Sequence, residues 1–403
     1  TFFVESSMEH LARELGMDSV EFRLKNANQP NEETPQGLKI TSCGMRECLI
    51  EAAERIGWGA KGNKATAGNV RRGIGIAATL NVGGGARIYR SDGCGATVKV
   101  DDFGRVILVT GSTEIGQGSE TTLAQIVAEV LGVRLEDVSV LNNDTSVKPW
   151  DVGTHASRTT FIAGKAAWIA AQKVKEQILA QAAEMIGAPA DALEMRDRLI
   201  RIKNDPSKSI SYDRVVRSMH YREGGIVVSA DGWYDPPTQL VNKDTWKGNI
   251  SAAYGFGAQA AEVQVDLETG KVRVIKIVAA HDVGHAINPM AVEGQIEGGV
   301  TMGMGYALTE ELQVKDGRVL NPTLLDYRVP TALDMPEIET VIVETEDPEG
   351  PFGAKGVGEQ PTNPTAAAIA NAVYDAIGIR LTSLPLTGEK VLRAIKDKES
   401  MNK

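Results

Sequence analysis

Residues Ala258 to Val265 alternate between small apolar and polar side chains, turn at Glu268-Thr269-Gly270-Lys271, and return as Val272 to Ala280. Two period-two runs joined by a short loop with a glycine are a β-hairpin signal, the clearest in this chain. A second hairpin runs from Ala96 to Asp101, turns at Asp102-Phe103-Gly104, and returns as Arg105 to Thr110. Each hairpin delivers the chain to a loop that opens a helix. After Thr110 the loop is Gly111 to Ser119, and Leu123, Ile126, Val127, Val130 and Leu131 then share one helical face. After Ala280 the loop is His281 to Pro289, and a helix is expected over about 289–310. Hairpins interleaved with long helices imply an α+β (mixed α/β) fold in two layers or more.

The remaining elements fill in around these. Helices are expected near 2–15, 19–26 and 45–56, the first with Phe3, Met8, Leu11 and Leu15 as its apolar face. Residues 58–70, rich in Gly, Lys and Asn, read as a linker, and a β-rich region begins at Arg71. Val138 to Leu141 reads as a strand, followed by a long helix ending near Ile186. Residues 190–250 hold strand-like runs at 199–202 and 226–228 and read as an excursion shielding one face. A strand at 338–344 leads to Gly353-Ala354-Lys355-Gly356-Val357-Gly358-Glu359. Behind it, Ile369, Val373 and Ile377 recur every fourth residue among alanines, with Gly378 as C-cap.

At 403 residues the chain has room for two or more domains. Its net charge of −10 argues against nucleic acid or an anionic membrane as partner. No apolar run approaches the length of a membrane span. Cys43, Cys48 and Cys94 form no C-x-x-C pair, and so few cysteines suit a reducing, cytoplasmic compartment. Thr1-Phe2-Phe3 opens without Met or a signal-peptide pattern, which reads as a processed end or the second part of a longer protein.

Four stretches carry candidate chemistry. Glu359 sits on a loop with glycines at 353, 356 and 358, where the backbone can turn sharply and hold one carboxylate at a fixed point. Gly116-Gln117-Gly118 follows a strand and opens a helix, a geometry that can receive an anion on backbone N–H groups. No Walker lysine follows and the glycines do not fit G-x-G-x-x-G, so ATP and NAD fit poorly. Ser157, Thr159 and Thr160 with Arg158 make a second such helix opening, although ordinary capping uses the same residue types. The helix after Pro289 carries Gly294, Gly298, Gly299, Gly303 and Gly305, which calls for close packing or close approach to a ligand. His281 and His285 invite a metal, but they lack the one-face helical geometry of H-E-x-x-H and an obvious third ligand.

Taken in order, these motifs resemble a known family. Gly116-Gln117-Gly118, the run from Asp151 through Gly153 and Ala156-Ser157-Arg158, Asp282 to Pro289, Glu293 to Gly298, and Gly356 to Glu359 look like the large molybdopterin-binding subunit of the molybdenum hydroxylases. That is the xanthine dehydrogenase and aldehyde oxidoreductase family, and the likeness spans nearly the whole chain. It implies a second molybdopterin-binding domain at 71–403, built of two α/β subdomains. Residues 1–57 would be the helical tail of the first such domain.

The resemblance also assigns roles. Glu359 would be the catalytic base. Gly116, Gln117 and Gly118 would bind the pterin, and Ala156, Ser157, Arg158 and Thr159 would line the pterin and its phosphate. Gln295 would reach the cofactor from the Gly-rich helix, and Gly358 would bind it beside the base. Arg87 and Tyr89 would lie near the substrate funnel. Molybdenum would be held by molybdopterin, or by molybdopterin cytosine dinucleotide, with no direct protein ligand. Iron–sulfur clusters, and in many relatives FAD, would sit on partner chains, since this chain has no cysteines for clusters. A chain or segment carrying the first molybdopterin-binding domain would close the site. The substrate would be an aldehyde or a small N-heteroaromatic compound, hydroxylated with water-derived oxygen. Two alternatives remain: reductive dehydroxylation like that of the 4-hydroxybenzoyl-CoA reductases, which the segment from Asp151 to Arg158 also resembles, and a non-catalytic cofactor-binding or scaffolding half.

Overall fold

The computed structural model describes residues 1–60 and 68–401. Most of the expected linker, residues 61–67, lies outside the described residues, and Trp58–Ala60 is a 3-10 turn. The three N-terminal helices fall where their periodicity puts them: α1 (Phe2–Glu14), α2 (Ser19–Asn26) and α3 (Met45–Ile56). Asp18 caps α2 by accepting hydrogen bonds from the N–H groups of Val20 and Glu21. A two-residue ribbon, β1 (Glu32–Glu33) and β2 (Lys39–Ile40), lies between α2 and α3.

The buried face of α1 is not the apolar one. Phe3, Leu11 and Leu15 point to solvent, while Glu5, Glu9 and Ala12 are buried. The reason is Arg23 on α2, buried itself, which donates from Nε to Glu5 at 2.8 Å and lies 3.5 Å from Glu9. A buried guanidinium needs its carboxylates inside with it, and that requirement sets the helix rotation.

Two sheets form the body. After β3 (Val70–Val82), the strands β4 (Cys94–Val100) and β5 (Val106–Thr110) make the expected hairpin. Asp101 closes its turn by accepting from the N–H groups of Phe103 and Arg105, both at 2.9 Å. The chain then crosses through α4 (Ser119–Leu131) to β6 (Val138–Leu141), which pairs parallel to β5. Next come α5 (Gly164–Ile186), a meander of β7 (Leu193–Arg196), β8 (Leu199–Ile202) and β9 (Asp205–Ser211), and α6 (Tyr212–Tyr221). Residues 190–250 are no mere excursion. They supply β10 (Ser229–Tyr234), which begins directly after the expected run at 226–228, and it pairs antiparallel with β4. The order is β10-β4-β5-β6, and Val98, Leu108, Leu123, Ile126, Phe161 and Val174 lie in the core beneath it.

The second sheet holds the longer hairpin, β11 (Tyr254–Asp266) and β12 (Val272–Asp282). From β12 the chain passes through α7 (Pro289–Leu308) and a small ribbon, β13 (Val314–Lys315) and β14 (Arg318–Val319), to β15 (Glu337–Val343). The order is β15-β12-β11-β3, with β15 parallel to β12. Helices α8 (Thr362–Ile377) and α9 (Gly388–Met401) complete the chain. One face of this sheet packs on α7, α8 and α9 through Val263, Ile277, Ile296, Ile369, Val373 and Val391. The other packs on α2 and α3 through Val20, Leu49, Ile56, Ile74, Phe256 and Val278. Residues 1–57 are therefore integral to this subdomain's core.

With both faces covered, β11 is buried along nearly its whole length, so its polar alternation does not mark a wet face. Buried Gln259 instead spends its amide on α8: Nε2 donates to the Pro361 carbonyl and Oε1 accepts from Thr365, each at 2.6 Å.

The glycines of α7 divide by neighbour. A Cβ on Gly303 would lie 2.5 Å from Thr365 Cβ, and one on Gly299 would lie 2.6 Å from Pro361 Cβ, so these positions let α7 and α8 touch. A Cβ on Gly294 would meet nothing within 4 Å. Gly294→Ala is therefore expected to stabilise the fold by up to ~1 kcal/mol through helix propensity. Gly303→Ala is expected to destabilise it by roughly 1–3 kcal/mol, because overpacking outweighs the propensity gain. Denaturant midpoints moving in the same direction for both variants would refute this division.

Candidate functional site

Loops from both sheets meet around a cavity of about 400 Å³. Its walls come from residues 115–117 after β5, 154–160 before α5, 283–288 after β12, one side of α7, and 355–359 before α8.

The loop before α5 is held in a conformation that L-residues seldom adopt. Ala156 and Ser157 have φ of 49° and 53°, each costing of order 1–3 kcal/mol unless the surroundings impose it. Arg158 imposes it. Its side chain is fully buried and pairs with both Asp92 and Asp151. It also donates to the carbonyls of Gly153 (2.9 Å), Asp92 (2.7 Å) and Gly93 (2.9 Å). Burial pushes the Asp92 carboxyl above its ordinary pKa, and the Arg158 guanidinium offsets that only in part. This corrects the expectation that Arg158 faces a phosphate: its charge is spent inside the protein, and its part in the wall is to fix the loop.

The Glu359 loop docks on that strained turn. A Cβ on Gly356 would fall 1.6 Å from the Ser157 carbonyl oxygen, so only glycine permits the approach. The Glu359 N–H donates to Ser157 Oγ at 2.9 Å, and the Ala156 N–H donates to Glu359 Oε1 at 3.1 Å. The left-handed pair thus grips both the backbone and the carboxylate of Glu359, while Gly358 and Glu359 stay exposed to the cavity. Below the loop, Lys355 is fully buried and donates to Asp282 Oδ2 at 2.7 Å. Asp282 also accepts from the N–H groups of Gly44 (3.0 Å) and Gly284 (3.1 Å) and from Thr345 Oγ1 (2.7 Å).

The expected anion sites are partly filled from within. Around Gly116-Gln117-Gly118, the carboxylate of Glu114 accepts from the N–H groups of Gly116 (2.7 Å), Gly118 (3.0 Å) and Glu120 (3.2 Å) and from Ser119 Oγ (2.9 Å). The Gln117 amide folds back on Ile115 N, Thr113 O and Ser119 Oγ. At the second opening, Ser157 Oγ serves Glu359, and Thr159, nearly buried, begins a π-turn over Thr159–Ala163. Gln295 reaches the cavity from α7, and among the described residues its amide has no hydrogen-bond partner. Thr154 ties the two openings together by donating to the Thr113 carbonyl at 2.9 Å.

Arg87 and Tyr89 do not line this cavity. Arg87 is committed to Asp235 (2.6 Å) and Thr238 Oγ1 (2.7 Å), and Tyr89 projects into solvent. His281 and His285 are also separated in role. His285 lines the cavity half-exposed and pairs with Glu344 at 3.1 Å. His281 is fully buried, with Nε2 at 3.2 Å from the Gln259 amide nitrogen. Among the described residues no three His, Cys, Asp or Glu side chains gather as a metal site.

Burial pushes the His281 pKa from 6.5 down to about 3. A depressed folded pKa means stability that is present above pH 6.5 and lost as pH falls toward about 3. The expected loss is about 1.4 kcal/mol per pH unit across that window. His281→Gln should flatten this slope in acid denaturation curves, and an unchanged slope would exclude His281 as its source.

Sequence motifs flagged Glu359, Gln117, Ala156-Ser157 and Gln295, and the structure brings Glu359, Gln117, Ser157 and Gln295 to one cavity, with Ala156 buried behind the Glu359 carboxylate. They did not flag Asp92, Glu114, Asp282 or Lys355 as supports. Glu114 sits beside the glycines it organises, so its spacing was a usable signal. Asp92 is far from Arg158 in sequence and gave none.

Glycine-lined loops at helix openings, converging on a gripped carboxylate and a free amide, define a cofactor-binding domain. The sequence matches the molybdopterin cofactor-binding domain family over residues 51–336, and the chain belongs to it. It is 36% identical over 403 residues to the xanthine dehydrogenase molybdenum-binding subunit of Escherichia coli O157:H7, covering 97% of this chain and 51% of that protein. It is 33% identical over 404 residues to the aldehyde oxidoreductase molybdenum-binding subunit PaoC of Escherichia coli K12, covering 98% of this chain and 50% of that one. The solved structure of quinoline 2-oxidoreductase from Pseudomonas putida 86 superposes with a TM-score of 0.89 at 30% identity, covering 98% of this chain and 51% of that one. The chain thus spans about half the length of the curated relatives it matches. The mixed α/β fold read from the sequence is also that of the solved quinoline 2-oxidoreductase over the half of it that this chain covers. Among the described residues no helix is long and apolar enough to cross a membrane.

Proposed function

We propose that this chain is the cofactor-binding, catalytic part of a molybdenum-dependent oxidoreductase that hydroxylates an aldehyde or N-heteroaromatic carbon. The observation that carries the reading is Glu359, a carboxylate held at the cavity by Ala156 N–H through Oε1 and anchored through its own N–H on Ser157. The cavity fits a pterin in kind. It is of ligand-pocket size, Gly116 and Gly358 leave parts of its wall without side chains, and Gln295 offers an amide with no partner among the described residues. Gln295, Gln117 with Gly116 and Gly118, the Ala156-Ser157 turn with Thr159, and Gly358 would hold the cofactor, with Arg158 fixing that turn from within the protein.

When bound, molybdenum supplies Lewis-acid and redox chemistry, lowering the pKa of water at the site. The chain's own part is acid–base and positional. Glu359 accepts the proton that the attacking water must lose, at the oxygen not engaged by Ala156. The double grip from residues 156 and 157 keeps that oxygen in place without ordering cost at each turnover. Electrons would leave through iron–sulfur clusters and flavin on partner chains, in a cytoplasmic complex, with the first molybdopterin-binding domain closing the cavity. Both cations in the wall, Arg158 and Lys355, are neutralised by buried carboxylates. This favours the hydroxylase reading over one that must bind the phosphates of CoA.

The test is metal and pterin analysis of the full-length protein purified with its partners, beside a screen of aldehydes and N-heterocycles. Stoichiometric molybdenum and pterin with turnover on one of these classes is the expected result. A complex without pterin overturns the proposal.

A further inference from the structure

The Gly116-Gln117-Gly118 loop lines the cavity, yet the side chain that shapes it is Glu114. We propose that Glu114 is a positioning residue: its carboxylate acts as a built-in anion that sets the loop before any cofactor arrives and fixes how Gln117 is presented. The inference rests on the reading of this loop as part of the pterin site.

The hydrogen bonds divide cleanly between the two oxygens. Oε1 accepts from Gly116 N and Gly118 N, and Oε2 accepts from Ser119 Oγ and Glu120 N. Ser119 Oγ, having given its proton to Glu114, accepts from Gln117 Nε2 at 3.1 Å. Glu114 thereby determines which way the Ser119 hydroxyl points, and Ser119 determines which end of the Gln117 amide is which. Gly116 and Gly118 have φ of 104° and 78°, so the loop needs an external reason to hold this shape, and the carboxylate provides it.

A carboxylate at the opening of α4 also answers the helix dipole. A second anion bound on the same N–H groups would have to displace it. The loop therefore meets its ligand through its glycine surface and the second lone pair of Gln117 Oε1, both N–H donors of that amide being spent on Thr113 O and Ser119 Oγ, and does not act as a phosphate seat. Partial burial by itself raises the Glu114 carboxyl, but the donors from Gly118, Ser119, Glu120 and Gly116 outweigh it and hold it below the ordinary 4.5. The charged neighbours are Glu120 on the first turn of α4 and Lys148, whose ammonium donates to Thr113 Oγ1 at 2.8 Å.

Hydrogen exchange and cofactor content, measured on the full-length protein, test this together. In Glu114→Ala the amides of Gly116, Gly118 and Glu120 should exchange about tenfold faster or more, as expected for lost bonds to a charged acceptor, and the purified protein should carry less pterin. Glu114→Gln should be selective. Its one carbonyl can serve Gly116 and Gly118, but its NH₂ then faces Glu120 N–H, so Glu120 alone loses protection. In the unmutated protein the protection should be present above pH 4.5 and lost as pH falls through the depressed value. In Glu114→Gln that pH dependence should vanish, which a purely packing role would not produce. Ser119→Ala, which removes the link to Gln117 and one donor to Oε2 but leaves both bonds on Oε1, should lower pterin content while leaving Gly116 and Gly118 protected.

Unchanged exchange in Glu114→Ala overturns the inference. Faster exchange with undiminished pterin overturns it too, because the loop would then not matter to the ligand. If the unmutated protein carries no pterin, the proposed function fails, and the exchange arm alone still shows whether Glu114 sets the loop.

Discussion

Glu359→Gln, made in the full-length protein, should leave molybdenum and pterin content unchanged and lower kcat by roughly 10²–10⁴-fold, the usual worth of a general base. The carboxamide is nearly isosteric. Its carbonyl can still accept from Ala156 N–H, and the backbone bond from Glu359 N–H to Ser157 Oγ does not involve the side chain at all. The substitution therefore keeps the geometry and removes the capacity to take up a proton. A loss of cofactor would instead mark Glu359 as a binding residue. Full turnover at full cofactor content would remove it from the mechanism.

The second large effect is on stability. Lys355→Met should cost about 3–5 kcal/mol, because breaking a buried ion pair leaves one charge uncompensated. Lys355 and Asp282 are both wholly inaccessible, so solvent cannot substitute for the missing partner. Gly44 N, Gly284 N and Thr345 Oγ1 would still donate to Asp282 and soften the loss toward the lower end of that range. Adding Asp282→Asn, which removes the stranded charge, should recover part of the stability. Denaturant unfolding of the single and double variants measures both steps. A single-variant loss under about 1 kcal/mol would mean that water reaches the pair or that the charge is absent.

The two predictions meet at one short segment. Lys355 is anchored downward into the β12 end, while Glu359 is gripped from above by the Ala156-Ser157 turn. Between them Gly356 donates to the Gly83 carbonyl at 2.8 Å. The loop is thus tied to the second sheet at one end and to the strained turn before α5 at the other. Loosening Lys355 should lower activity as well as stability, by freeing the carboxylate that the first prediction removes.

Much of this was legible in the chain itself. Local periodicity placed both hairpins, the strand at 138–141 and the long helices, because alternation and helical spacing are properties of a few consecutive residues. The order of five weak motifs indicated the family. Periodicity could not say which face of α1 is buried, because Arg23, on another helix, decides that by pulling Glu5 and Glu9 inward. Nor could it show β11 covered on both sides, since only the fold reveals that helices pack on each face of the sheet.

At the site the division has the same cause. Residue types with chemical meaning, a glutamate among glycines or hydroxyls at a helix opening, are visible one at a time in sequence. Whether their polar groups are free or already spent depends on partners that the fold brings together. Arg158 read as a cation for a ligand, but Asp92, 66 residues away along the chain, takes it up. The Gly116-Gln117-Gly118 loop read as an open anion seat, and Glu114 fills it. Sequence determined which groups this protein carries and in what local frames. Tertiary structure alone decided which remain unpaired and aimed at the cavity, because desolvation and hydrogen bonding act between neighbours in space, wherever they lie in the chain.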